Sequence, residues 1–187
     1  MELNNLSDEQ LVFVIREGGQ EKYREIIRRY QTKLTHYLRK FIRNPDELED
    51  ILQEVFIKAF KNLNSFEVDK SFSSWIYRIA HNEAINSLKK KENKNIDLED
   101  VEYKIFDEKF DINEKIDQAI LRQNLSVALS KLKLEYKEVL VLFYFEGLSY
   151  TEISDVLKIP TSTVGTIIKR SKEILKAELL KNNAYEK

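Results

Sequence analysis

The chain has 187 residues, 42% hydrophobic and 34% charged, with 31 Lys and Arg against 32 Asp and Glu for a formal net charge of −1. A chain of this length buries roughly 70% of the surface it exposes when unfolded, so it needs no metal or disulfide staple, and the absence of Cys excludes disulfide frameworks, thiolate zinc sites and cysteine nucleophiles. His36 and His81 alone offer little for a metal cluster or a catalytic base, no stretch reaches ~18 uncharged apolar residues, and Met1 to Asn5 lacks a signal peptide's basic start and apolar run; the expectation is a soluble cytoplasmic protein without membrane insertion, metal, cofactor or catalysis.

Breakers are scarce. Gly18, Gly19, Pro45, Gly147, Pro160 and Gly165 are the only glycines and prolines among many Leu, Ile, Lys and Glu, which predicts an all-α fold. Charge then divides the chain. Residues 1–92 carry 16 basic and 15 acidic side chains, residues 93–118 carry 4 and 9, and residues 119–187 carry 11 and 8. The acidic middle, with only scattered apolar residues, reads as a flexible linker between two small four-helix domains, 1–92 and 119–187.

In the first domain, Ser7-Asp8-Glu9-Gln10 forms a capping box and Gly18-Gly19 ends the helix it starts. A long helix follows, with Tyr23, Ile26, Ile27, Tyr30, Leu34, Tyr37, Leu38 and Phe41 at three- and four-residue spacing. Asn44-Pro45-Asp46-Glu47 starts the next with a cap, a first-turn proline and a glutamate placed to reach back. That third helix, about Pro45 to Leu63, buries Leu48, Leu52, Val55, Phe56, Ala59 and Leu63 on one stripe. Directly opposite lie Asp50, Gln53, Glu54, Ile57 and Lys61. An isoleucine ringed by acids and amides reads as a docking face with an apolar anchor, or as a solvated face with one stray apolar residue.

The fourth helix, about Phe72 to Lys91, follows the loop 64–70 and takes Ser71 as its cap. Phe72, Ile76, Ile79 and Ala80 point to the core. Opposite them Ser74, Arg78, His81, Asn82 and Lys89 form a donor stripe bordered by Trp75 and Tyr77, and the helix's acid, Glu83, falls on the far side. On this reading the stripe is positive without neutralisation. Cations interleaved with aromatics suit single-stranded nucleic acid, since cations meet phosphates and rings stack on unpaired bases. The competing reading makes Trp75 and Tyr77 core and Lys89 to Lys91 a helix end favoured by its dipole.

In the second domain, helices over about Ile116 to Lys131 and Glu135 to Glu146 precede Gly147. Ser149 and Glu152 form another capping box, Ile153, Val156 and Leu157 give a short helix its buried stripe, and Lys158-Ile159-Pro160 makes a turn. A helix starting at Thr161 or Ser162 buries Val164, Ile168, Leu175 and Leu179. This is the layout of a helix-turn-helix, whose second helix presents its N-terminal residues to the major groove. The outward face carries Ser162, Thr166, Lys169, Glu173 and Lys176, with Arg170 and Lys172 flanking it.

Together the two domains resemble the extracytoplasmic-function (ECF) group of bacterial sigma-70 RNA polymerase sigma factors, over residues 7–92 and 119–181. Asp50 to Phe60 resembles the polymerase-binding region, Phe72 to Asn82 the promoter-melting region, and Leu148 to Arg170 the terminal helix-turn-helix. The resemblance implies that Asp50, Gln53, Glu54, Ile57 and Lys61 dock on the clamp helices of the polymerase's largest subunit. Asn64, Ser65, Phe66, Lys70, Ser74, Trp75, Tyr77, Arg78, His81, Asn82 and Lys89 would capture the unpaired strand of the −10 promoter element, where a flipped base must be held open. Thr151, Thr161, Ser162, Thr163, Thr166, Lys169, Arg170 and Lys172 would read the duplex −35 element, with residues 119–146 facing the polymerase flap. The implied protein is a monomer outside the holoenzyme, and such proteins are often held by an anti-sigma factor. This sequence departs from the family in Gly165 and Ile167, where a basic residue is usual, and in Lys158, where glycine is usual. A glycine within a helix costs about 1 kcal/mol against alanine. The alternatives are a free-standing helix-turn-helix regulator, a helical hydrolase or metal enzyme using Asp50, Glu54 and His81, and a helical adaptor without a DNA role.

Overall fold

A computed structural model describes residues 3–92, 127–129 and 131–184; the expected linker at 93–118 and most of the helix expected from Ile116 lie outside them. The described residues are helical and contain no strand. The N-terminal half comprises α1 (Asp8–Arg16), α2 (Tyr23–Leu38), α3 (Pro45–Lys61) and α4 (Phe72–Glu92). Short 3₁₀ turns at Leu3–Asn5, Gln20–Lys22 and Leu63–Ser65 link or precede these helices. After a helical piece at residues 127–129, the C-terminal half comprises α5 (Leu134–Tyr144), α6 (Tyr150–Leu157) and α7 (Thr161–Ala184).

Local chemistry sets the boundaries. The Ser7 hydroxyl accepts from Gln10 N while the Gln10 side chain accepts from Ser7 N, and Ser149 with Glu152 repeats this reciprocal box at α6. Asn44 Oδ1 caps α3 by accepting from Asp46 N and Glu47 N at 2.9 and 3.1 Å. Glu47 does not reach back to the cap as its spacing predicts. Its carboxylate accepts instead from Ser87 Oγ at 2.5 Å and Lys91 Nζ at 2.6 Å, tying the start of α3 to the end of α4. The long helix also stops earlier than its apolar spacing suggests, at Leu38, where tighter three-residue bonds from Lys40 N to Tyr37 O and Phe41 N to Leu38 O take over. Phe41 and Ile42 remain buried, their N–H groups turned back to Leu38 O.

The N-terminal core joins Leu11, Ile26, Leu34, Leu52, Val55, Phe72, Ile76 and Ala80. It is continuous with Leu142, Ile153, Val156, Val164 and Ile168 of the C-terminal half, because α6 packs along α4. At the end of α6, Lys158 adopts a left-handed conformation with φ 56°. That backbone region favours glycine, the residue that the family resemblance leads one to expect here; Lys158 adopts it and reaches Asp155 at 2.7 Å. Ser154 Oγ donates to Ile159 O across the same turn at 2.6 Å, fixing the entry into α7. No helix among the described residues is long and apolar enough to cross a membrane.

Candidate functional site

The face of α3 turned away from its core is open along its length. Asp50, Gln53, Glu54, Ile57 and Lys61 are all exposed, Ile57 by 45%. Beside Ile57, one helical step on, Phe60 is 40% exposed with its ring edge-on to Tyr23 at 4.9 Å. Phe60 adds a second exposed apolar side chain to this face. Its i, i+3 spacing from Ile57 is the signal in the sequence that points to it, although it is not among the residues expected there.

The loop before α4 is held by one guanidinium. Arg16 of α1 donates from Nε to Leu63 O at 3.0 Å, and its Nη2 donates to both Leu63 O and Phe66 O. Asn64, Ser65 and Lys70 stand exposed on this loop, with Lys70 paired to Glu67 at 2.8 Å. Phe66 is buried, packed against Phe72 and Trp75 with ring centroids 5.4 Å apart in both cases. Trp75 is itself buried at 8% exposure, and Tyr77 at 1%. Ser74 is buried as well, its Oγ donating to Ser71 O at 3.0 Å. In this form Phe66, Ser74, Trp75 and Tyr77 are therefore packed, while Asn82 and Lys89 on the same helix remain exposed.

The stripe is not unneutralised, because its partners come from across the chain. Arg78 Nη1 donates to both carboxylate oxygens of Asp155 on α6 at 3.0 and 3.1 Å. His81 Nδ1 lies 2.7 Å from Glu138 Oε1 of α5, and Tyr37 Oη donates to that same oxygen. Tyr77 Oη donates to Glu146, just past the end of α5. Burial pushes the Glu146 carboxyl up, although Tyr77, Lys40 and Lys33 oppose the shift. Burial also brings the Lys40 ammonium down to about 8, with Glu146 and Glu138 partly offsetting it. Burial works against the Asp155 carboxylate too, but Lys158 and Arg78 outweigh it and hold its pKa low. Tyr37, Lys40, Glu138, Glu146 and Asp155 were absent from the sequence-derived site. Nothing periodic pairs residues that lie 69 or 101 positions apart.

The second helix of the helix-turn-helix keeps its outer face open. Thr151, Thr161, Ser162, Thr166, Lys169, Arg170 and Lys172 are exposed and Thr163 is half-buried. Thr166 Oγ1 donates to Ser162 O at 2.9 Å, satisfying the hydroxyl within its own helix. Lys172 leans over the Tyr144 ring of α5 at 5.4 Å. At Gly165 an added Cβ would lie 3.4 Å from Tyr150 Cε2, in ordinary contact. The residues invoked for a metal enzyme are not gathered here, since Asp50 and Glu54 are exposed on α3 while His81 faces Glu138.

The family described as Sigma-70 region 2 matches residues 26–94, and that described as Sigma-70, region 4 matches residues 122–175. The chain is 31% identical to the RNA polymerase sigma-H factor of Pseudomonas aeruginosa over 92% of this chain and 94% of that protein. It is 33% identical to the ECF RNA polymerase sigma factor SigW of Bacillus subtilis, over 88% of this chain and 92% of that one. Among solved structures, the fold is similar to the sigma factor RpoE of Bartonella quintana in complex with the anti-sigma factor NepR. There the TM-score is 0.65 at 22% identity, covering 86% of this chain and 98% of that chain.

Proposed function

The chain belongs to the extracytoplasmic-function sigma factors of the sigma-70 family, and on that premise we propose how its surfaces divide the work of a promoter-recognising RNA polymerase sigma factor. The exposed face of α3 docks on the clamp helices of core polymerase, with Ile57 and Phe60 as apolar anchors and Asp50, Gln53, Glu54 and Lys61 as the polar rim. The observation that carries this is an isoleucine left 45% exposed directly opposite a fully apolar stripe. The outer face of α7 reads the duplex −35 element, with Lys169 and Arg170 on phosphates and Thr163 and Thr166 nearest the base edges. The loop 64–70 and the stripe on α4 capture the unpaired strand of the −10 element. The protein acts where the polymerase is, in the cytoplasm, as a binding factor without catalytic chemistry of its own. An anti-sigma protein is the expected class of regulatory partner.

Two weak DNA contacts on one chain gain through effective concentration once polymerase fixes their spacing. Near-neutral net charge suits this design, because core polymerase supplies much of the affinity for DNA. Ile57→Glu tests the docking face. A charge placed in an apolar pocket without a partner is costly, so binding to core polymerase should be lost while the fold is kept. Unchanged affinity would overturn the assignment of this face.

A further inference from the structure

We infer that the duplex element read by α7 has a core of A·T pairs, recognised through their thymine methyl groups by Ser162, Gly165 and Thr166 with the ring of Tyr150 beside them. The inference rests on reading α7 as the −35 helix and names what that helix reads. A recognition helix presents its N-terminal residues to base edges, and here residues 161–168 run Thr-Ser-Thr-Val-Gly-Thr-Ile-Ile. Guanine is read by the paired donors of Arg or by Lys, and adenine by the donor and acceptor of Asn or Gln. None of these side chains stands before Lys169, and Lys169 and Arg170 are assigned to phosphates. Backbone amides do not take their place, since Thr163 N and Val164 N both donate to Pro160 O, at 2.8 and 3.1 Å.

What remains suits one base pair. Thr166 is exposed and spends its hydroxyl proton on Ser162 O at 2.9 Å, so it offers the groove a methyl group and an oxygen that accepts. An A·T pair shows the major groove the matching groups, the C5 methyl of thymine and the N6 amino group of adenine, whereas a G·C pair shows an amino group without the methyl. Ser162, Gly165 and Thr166 are neighbours on the helix surface by their i, i+3, i+4 spacing. Gly165 leaves a notch there, and Tyr150 of α6 fills it: its Cε2 and Cδ2 lie 3.4 and 3.8 Å from where a Cβ would stand. Edge-on contact with Phe143 at 5.3 Å holds the ring, which is still 38% exposed and sets an apolar wall beside the Thr166 methyl. A long side chain at position 165 would have to displace that ring.

The test joins the full chain to bacterial core polymerase, selects bound duplexes from a randomised pool, and remakes the selected upstream element with deoxyuridine for thymine, which removes the C5 methyl and keeps the pairing. The expected result is an upstream element with an A·T core, bound about fourfold more weakly for each contacted thymine replaced, the worth of one buried methyl. Thr166→Ser, which keeps the hydroxyl and drops the methyl, should lose this discrimination at one position, while Thr166→Val, which keeps the methyl, should retain it. Gly165→Arg, which sets a forked donor at the notch, should bring guanine into the selected element; an unchanged element would show that the notch does not face the bases and would overturn the inference. A guanine core in the wild-type element, equal binding of thymine and deoxyuridine duplexes, or undiminished discrimination by Thr166→Ser would each overturn it as well. Lys169→Ala and Arg170→Ala separate this inference from the reading beneath it. If they weaken duplex binding while deoxyuridine changes nothing, α7 still reads the duplex and only the methyl claim falls. If they and the Thr166 variants all leave the selected element and its affinity unchanged, the assignment of α7 falls too.

Discussion

Arg16→Ala should loosen the loop that carries Asn64, Ser65 and Phe66. In the native protein the Arg16 guanidinium serves Leu63 O and Phe66 O and lies 6.0 Å from the Phe66 ring centroid. Leu63 O also accepts from Phe66 N at 3.2 Å and keeps that bond, so the deficit falls mainly at Phe66 O. A hydrogen bond from a charged donor is worth about 1.5–3 kcal/mol net. Adding a few tenths for the lost stem packing, and discounting for a site that is only half-buried, gives about 2–3 kcal/mol. At a urea slope near 2 kcal/mol/M this moves the midpoint by about 1 M. Arg16→Lys should recover roughly half, because a single ammonium lacks the fork that reaches two carbonyls. The same variants, joined to core polymerase, should slow strand opening more than promoter binding, read with a fluorescent base analogue in the opening segment. A loss of stability under about 0.5 kcal/mol for Arg16→Ala, the ordinary range for a surface substitution, would refute the view that this side chain holds the loop.

Four further outcomes follow from single contacts. Trp75→Ala, at a ring buried on Phe66 and Phe72, should cost about 3–5 kcal/mol in chemical denaturation; a near-neutral result would mean the ring is not part of the packed cluster. Gly165→Ala meets Tyr150 at ordinary contact distance, so the relief of a helical glycine should add about 0.5–1 kcal/mol and raise Tm; a lowered Tm would show that Tyr150 has no room to give. Lys169→Ala and Arg170→Ala should each weaken holoenzyme binding to duplex promoter DNA and make its salt dependence shallower by about one unit; an unchanged slope would remove that residue from the phosphate contacts. The hydrogen bonds from Arg28 and Arg29 hold the Glu25 carboxyl down at about 2 against an ordinary 4.5. Its contribution to stability is thus complete above pH 4.5 and disappears as pH falls through 2. Glu25→Gln should flatten the acid unfolding profile across that window, and parallel profiles would contradict the assignment.

What the sequence disclosed was local, and what it withheld was distant. The boxes at Ser7 and Ser149 and the cap at Asn44 involve partners two or three residues away, so their chemistry is written in adjacent letters. The two faces of α3 were equally legible, because a period of 3.6 sorts Leu52, Val55 and Ala59 from Gln53, Glu54 and Ile57 without reference to the rest of the chain. Glu47 marks the limit of such reasoning. Its spacing suits a return to Asn44, but Lys91 on α4 offers a charged donor and takes it. The α4 stripe shows the same limit on a larger scale. The helical period places Arg78, His81 and Lys89 on one face, whereas Asp155 and Glu138, which pair with Arg78 and His81, come from 77 and 57 residues away and carry no periodic trace. Trp75 and Tyr77, placed at the borders of that stripe, are in fact packed, since a border residue goes wherever a neighbouring element supplies cover.

As a sigma factor, this chain should give promoter choice to RNA polymerase. The most direct measurement is to combine the purified protein with bacterial core polymerase and map the transcripts started on a pool of genomic fragments. A stable complex is expected, with a discrete set of new start sites sharing paired upstream elements. A chain that fails to join core polymerase, yet shifts duplex DNA by itself, would contradict it and make the helix-turn-helix that of a free-standing regulator.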